Sequence, residues 1–155
     1  MQRTLVFIPV ERAELSAITG AVELADRPAH TVTPELMEAL DYAETQMEEA
    51  EHAAMVLASV AALSRYGRRL VLVAEVDSSL VHPSGGGSNG DCTVAKVPRG
   101  AITCWFSDAD DVDPSGAAAA ARGLGIDEAW EADAVSELVH QHPLLWNDVV
   151  EYERR

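Results

Sequence analysis

The sequence predicts a single domain of class α/β or α+β, with about four strands in a mixed sheet packed against a long central helix and C-terminal helices. Three observations predict it. Residues 34–66 carry apolar side chains at alternating steps of four and three, which is the spacing of one helix face. Short apolar runs at residues 4–10 and 69–76 are typical of buried strands. The length of 155 residues fits one domain.

The predicted central helix has a clear beginning and end. Thr33 is a suitable N-cap, and Pro34 has the backbone angle that a first helical residue needs. Gly67 is expected to end the helix, because glycine readily adopts a left-handed conformation. Residues 41–45 are poor helix formers, so the sequence allows one helix or two with a break there. Residues 53–63 are almost all apolar, which predicts that neighbouring elements cover them on most sides.

The N-terminal half suggests one crossover. A short helix is expected at residues 12–19, followed by an irregular connection at residues 21–31. Helical residues between the apolar runs 4–10 and 69–76 form a strand–helix–strand pattern. If both strands belong to one sheet, this pattern predicts a parallel pair with a right-handed crossover.

The C-terminal half predicts two more strands and several helices. The strands are residues 93–97 and 101–107, and residues 98–100 between them form either a hairpin turn or one helical turn that would allow a different pairing. The glycine-rich segment 82–91 is predicted to be a mobile surface loop. Three helices follow: one after the pair Asp113-Pro114, one from Asp127 to about His140, and one after Pro143.

The charge of the chain limits its partners. Acidic residues outnumber basic ones 26 to 11, which gives a net charge of −15. This balance argues against binding to nucleic acid or to an anionic membrane surface, since both need clustered lysine and arginine. The two cysteines match neither a disulfide scaffold nor a redox pair, and the N-terminus lacks the pattern of a secretory signal. We therefore expect a cytoplasmic protein.

One helical segment could bind a metal ion. Glu49 and His52 have the Glu-x-x-His spacing that places a carboxylate and an imidazole on one helix face in di-iron proteins. Di-iron sites also need further glutamates from other helices, and a symmetry-related copy could supply them. The ordinary explanation is the solvated face of an amphipathic helix. The candidate metal ligands are Glu48, Glu49, Glu51 and His52.

Three further patterns resemble chemical sites but have simpler explanations. Residues 86–90 fit G-x-S-x-G, yet they lie in a glycine loop that leads into a strand, whereas a nucleophile elbow joins a strand to a helix. His140 and His142 could bind zinc, but histidine near a helix C-terminus is favoured by the helix dipole. The acidic run 108–113 could bind a hard cation, but it lacks the EF-hand spacing. No catalytic residue and no cofactor are predicted.

Aromatic residues are the candidates for contact with a partner. Trp105 and Phe106 are adjacent on a predicted strand, so their side chains should point to opposite faces of the sheet. Trp146 lies beside two leucines near the C-terminus. We expect two of the three aromatic residues to lie in the core, and an exposed one would mark a partner surface.

Several segments resemble a domain-of-unknown-function family of small acidic actinobacterial proteins. The resemblance covers most of the chain and is clearest in VTPEL, EEAEHAAM, RRLVLVAEV and LLW. The chain departs from the family's pattern in its long glycine loop and in the Trp105-Phe106 pair, where smaller residues are expected. The resemblance implies no activity, cofactor or site residue.

Three hypotheses about function follow from the residues. The first is a non-enzymatic interaction or regulatory module that binds a basic or amphipathic protein partner, or a second copy of itself as a homodimer. The second is a metal-dependent enzyme that uses the helix-borne carboxylates and His52. The third is an acidic mimic of nucleic acid, which would need carboxylates spaced like phosphates along a ridge.

Overall fold

A computed structural model describes residues 2–20, 22–84 and 89–150 of the chain. The strands in these residues are β1 (Arg3–Pro9), β2 (Leu24–Thr31), β3 (Leu70–Asp77), β4 (Val81–Pro83), β5 (Asp91–Val97), β6 (Ile102–Ser107) and β7 (Leu145–Asp148). The α-helices are α1 (Pro34–Ala39), α2 (Met47–Tyr66), α3 (Ser115–Ala121), α4 (Ile126–Trp130) and α5 (Asp133–Gln141). Short 3-10 helices include Arg12–Ile18 and Arg99–Ala101.

The described part of the chain forms one antiparallel sheet of seven strands, in the order β4-β5-β2-β1-β3-β6-β7. The domain is therefore α+β, and the expectation of about four strands in a mixed sheet was wrong. Residues 24–31 account for much of the difference. They form β2, which pairs with β1 and β5, where the sequence had predicted an irregular connection.

The extra strand β2 also changes which two strands the helical crossover connects. Both β2 and β3 run antiparallel to β1, so they are parallel to each other on either side of it. The helix α2 thus connects β2 to β3, and β1 fills the place between them, as in a split βαβ unit. The predicted parallel pairing of the apolar strands β1 and β3 was wrong, because the chain crosses the sheet once more before the helix.

The predicted central helix is divided into α1 and α2. The hydroxyl of Thr33 accepts a hydrogen bond from the Leu36 backbone N–H at 3.0 Å, which confirms the N-cap. The break occurs within the predicted segment, where Asp41 has a φ of 57°. Gly67 ends α2 with a φ of 80°, as its position predicted.

The second half of the chain differs from three more expectations. Residues 99–101 form a helical turn, so β5 and β6 do not pair with each other and the hairpin alternative was wrong. Residues 145–148 form β7 on β6, where a final helix had been expected. Asp127 lies inside α4, and the helix predicted to continue from it to His140 is interrupted before α5 begins. Of the predicted loop 82–91, residues 85–88 lie outside the described residues.

The core has two layers around α2. On one side, α2 packs against the sheet, where Phe7, Val71 and Val73 meet Ala54, Met55 and Ala58. On the opposite side, Val60 and Leu63 pack against the C-terminal helices. The other face of the sheet has its own core, closed by the 3-10 helix Arg12–Ile18. The expectation that neighbouring elements cover residues 53–63 is confirmed, with Ala53, Val56 and Leu57 only half-buried.

The end of α2 gives a test of the fold. We expect Gly67→Ala to lower the free energy of unfolding by about 1 kcal/mol, because an L-residue is strained at a φ of 80°. No steric clash contributes, since the nearest atom to the added Cβ is 4.0 Å away. Gly116→Ala in α3 is the matched control, and it should raise stability by about 0.5–1 kcal/mol. Urea unfolding followed by tryptophan fluorescence measures both changes. Equal effects of the two substitutions would contradict the left-handed backbone conformation of Gly67.

Candidate functional site

A cavity of about 770 Å³ opens between α2, the sheet and the C-terminal helices. Its volume falls in the range of about 300–1,000 Å³ that is usual for ligand sites. We call it the α2 cavity. Its lining residues are Leu40, Tyr42, His52, Ala53, Met55, Val56, Leu57, Ser59, Arg69, Phe106, Ile126, Asp127, Trp130, Glu131, Val139, His140, Pro143 and Leu144.

The α2 cavity exists because two cores meet α2 at different places along its length. Near its N-terminal half, Met55 packs toward the sheet together with Phe106 and Leu144. Nearer its C-terminus, Val60 and Leu63 pack toward the C-terminal helices. The side chains between these contacts are small or only half-buried, so the space beside them stays open. Its wall is mainly apolar, and its rim consists of exposed residues, so the cavity reaches the surface.

A buried ion pair lies at the sheet side of the cavity. Arg69 is only 2% exposed, and its guanidinium pairs with the Asp108 carboxylate at 2.6 Å. The same guanidinium donates to the backbone carbonyl oxygen of His142 at 2.7 Å, and the Arg69 backbone N–H donates to Asp108 at 3.1 Å. These contacts tie the start of β3 to the end of β6 and to the segment before β7. They also neutralise the positive charge of Arg69 within the cavity wall.

Among the residues that the structure describes, two carboxylates on the rim of the cavity are not paired with a positively charged side chain. Asp127 and Glu131 are exposed residues four positions apart around the end of α4. Asp127 accepts a hydrogen bond from the side-chain amide of Asn89 at 3.2 Å. Within the described residues neither carboxylate forms an ion pair. The rim of the cavity is therefore acidic.

The candidate metal ligands do not form a cluster. Glu48, Glu49 and His52 are exposed and Glu51 is half-buried on α2, and only His52 lines the α2 cavity. Among residues 2–20, 22–84 and 89–150, no group of three or more histidine, cysteine, aspartate or glutamate side chains is placed to hold a metal ion. The acidic run is also used structurally: Asp108 pairs with Arg69, and Asp113 accepts from the Ser115 backbone N–H at 3.0 Å.

The aromatic candidates are divided between core and surface. Trp105 is 1% exposed in the core on the face of the sheet away from α2, so it has no surface with which to contact a partner. Phe106 points to the opposite face, as expected, and lines the α2 cavity. Trp146 is 58% exposed on β7, where it is paired in register with Phe106. Phe106 and Trp146 thus remain candidates for partner contact.

The cysteines are not activated as nucleophiles. Burial raises the pKa of the Cys92 thiol to about 12. Burial also raises the pKa of Cys104, an effect that hydrogen bonding with Thr103 and Trp146 only partly offsets. Cys104 and His52 line the same shallow hollow beside Phe106, but no hydrogen bond connects them. Both thiols are therefore protonated at neutral pH, unlike the thiolate of a cysteine nucleophile.

Sequence reasoning missed most of the site. The sequence predicted only that a helix begins at Asp127, and it left His140 as a zinc ligand or as a residue favoured by the helix dipole. No pattern in the sequence indicated that Arg69 and Asp108 pair, because Arg69 lies just before β3 and Asp108 lies just after β6. Trp130 is half-buried: it packs against the apolar cluster formed by α2 and the C-terminal helices, and it lines the cavity. The apolar residues of α2 were the usable signal, since the helix predicted there forms one wall.

The buried ion pair yields a stability prediction. We expect Asp108→Leu to lower the free energy of unfolding by about 3–5 kcal/mol, because it leaves the Arg69 charge buried without a partner. The double variant Arg69→Met/Asp108→Leu should lose less than Asp108→Leu alone, because it removes both charges. Glu23→Leu is the matched control: its pair with Lys96 is exposed, so the loss should stay below about 1 kcal/mol. Urea titration of all four proteins tests this, and similar losses for Asp108→Leu and Glu23→Leu would contradict it.

Comparison with known proteins identifies the family but no activity. No curated protein and no solved structure matched the chain significantly. None of the helices in the described residues combines the length and hydropathy needed to span a membrane. A family model matches residues 4–154, which confirms the resemblance to a family of unknown function, whereas the acidic and actinobacterial character of its members stays a prediction. The chain belongs to DUF6912, a family of unknown function.

Proposed function

We propose that the chain is a non-enzymatic interaction module whose α2 cavity receives apolar side chains from a basic, amphipathic segment of another protein. The observation that carries the proposal is the α2 cavity, an apolar space that opens at the surface of a chain with a net charge of −15. Apolar side chains of a partner would fill the space lined by Met55, Phe106 and Ile126. The negative field of the whole chain favours partners of positive charge and speeds their encounter.

The partner is a different protein rather than a second copy. Two copies would each bring a charge of −15, and the repulsion between them opposes association. The apolar segment 53–63 does not require a homodimer either, since the sheet and the C-terminal helices bury all of it except Ala53, Val56 and Leu57, which are half-buried at the cavity. Trp146 lies close to the cavity through its pairing with Phe106, and it extends the apolar surface available to a partner.

The other two hypotheses have no supporting observation in the described residues. The carboxylates and His52 on α2 do not form a metal-binding group there. The exposed acidic residues of the rim surround an apolar cavity, which an acidic mimic of nucleic acid would not need. The interaction module is the hypothesis that uses both the charge and the cavity.

A cavity-filling substitution tests the proposal. Ala53 is half-buried, lines the cavity and lies outside the three apolar cores, so Ala53→Phe should fill the space with little effect on stability. The probe is a short peptide of lysine and leucine at helical spacing, and its affinity is measured by fluorescence anisotropy. We expect it to bind the unaltered protein and to bind Ala53→Phe about tenfold more weakly, a loss of about 1.4 kcal/mol. Binding should also weaken at about 1 M salt, where charges are screened within about 3 Å.

The controls separate the cavity from the rest of the surface. Ala119→Phe adds the same side chain at an exposed position of α3 outside the cavity, and it should bind the peptide like the unaltered protein. A peptide with glutamate in place of lysine should not bind. Unchanged affinity of Ala53→Phe would overturn the proposal. So would a dimer in light scattering that Ala53→Phe dissociates, or a small molecule released from the purified protein by denaturation, because either result assigns the cavity to a different occupant.

A further inference from the structure

We infer that the α2 cavity contains a seat for a basic side chain, formed by Trp130, Asp127, Glu131 and His140; this inference rests on the proposed function, whose partner segment would supply the lysine or arginine. All four side chains line the cavity, and all belong to α4, α5 or the residue that ends α4. The seat would recognise a lysine or arginine of the partner, in addition to the apolar side chains that enter the cavity.

The carboxylates supply the negative charge of the seat. Asp127 and Glu131 lie one turn apart and form no ion pair in the described part of the chain. The amide of Asn89 contacts Asp127 at 3.2 Å without neutralising it. Like charges at this spacing repel each other, so a cation bound between them would relieve the repulsion. The one arginine of the cavity wall, Arg69, does not compete because Asp108 already neutralises it.

Trp130 and His140 supply the remaining contacts. The two rings meet edge to face, with centroids 6.5 Å apart and planes inclined by 69°. A cation near the face of tryptophan is attracted by the ring's electron density. His140 Nδ1 lies 2.7 Å from the Ser136 carbonyl oxygen, so Nδ1 is the donor. In the neutral ring Nε2 is then left as an acceptor, which suits the N–H groups of lysine or arginine.

Removing the two charges tests the seat without filling the cavity. The double variant Asp127→Asn/Glu131→Gln should bind the lysine–leucine peptide about tenfold more weakly than the unaltered protein, which corresponds to about 1.4 kcal/mol. It should bind a glutamine–leucine peptide with unchanged affinity, because that peptide uses only the apolar wall. The matched control is Glu38→Gln/Glu75→Gln, which removes two exposed charges outside the cavity and should leave the lysine–leucine affinity within about twofold. Fluorescence anisotropy at low salt measures all combinations.

A second pair of variants tests the aromatic ring. Trp130→Phe keeps an aromatic face and should retain most of the preference for lysine over glutamine, whereas Trp130→Leu should lose part of it. The inference is overturned if Asp127→Asn/Glu131→Gln binds both peptides like the unaltered protein, or if Glu38→Gln/Glu75→Gln weakens the lysine peptide equally. If Ala53→Phe still weakens the binding of both peptides, either result contradicts the seat but not the proposed function. If Ala53→Phe weakens the binding of neither peptide, the proposed function itself is contradicted.

Discussion

The structure depends on one constraint: α2 must bury apolar side chains on two opposite sides. The sheet covers one side, and the C-terminal helices cover the other through Val60 and Leu63. Each buried valine, leucine or methionine contributes about 1.5–3 kcal/mol, so the domain depends on both layers. The two layers contact α2 at different positions along its length, the sheet through Ala54, Met55 and Ala58 and the C-terminal helices through Val60 and Leu63. The α2 cavity is the space that this arrangement leaves between them.

The Arg69–Asp108 pair follows from the same arrangement. The segment between α5 and β7 must pass from the helical layer to the edge of the sheet, and Arg69 binds its backbone through the carbonyl oxygen of His142. A buried guanidinium lowers the stability of the fold unless it is paired with a negative charge and hydrogen-bonded. The Asp108 carboxylate both pairs with Arg69 and accepts its hydrogen bond. The pair thus holds the sheet, the end of β6 and the C-terminal segment together. It also removes the positive charge that would otherwise make the cavity attractive to an anion.

The sequence predicted local elements well and their arrangement poorly. The N-cap at Thr33, the break near Asp41 and the C-cap at Gly67 depend on neighbouring residues, so they can be inferred from short segments. Strand β2 was missed because it contains Asp26, Arg27 and Pro28, which are unfavourable in isolated strands. Arg27 and Pro28 pair with β5 alone, and β1 pairs with β2 only at His30 and Thr31. The tail 145–150 has apolar residues that fit a strand or a helix, and only the exposed edge of β6 decides between them.

The candidate site was less predictable than the fold, since its residues are distant in sequence. His52 comes from α2, Phe106 from β6, and Trp130 and His140 from the C-terminal helices. The net charge of −15 indicated a basic partner, but charge alone gives no position on the surface. The position follows from which charges are compensated: Arg69 in the wall is neutralised, whereas Asp127 and Glu131 at the rim are not. The partner that we propose, apolar at its contact and basic at its margin, is the one that this distribution of charge would favour.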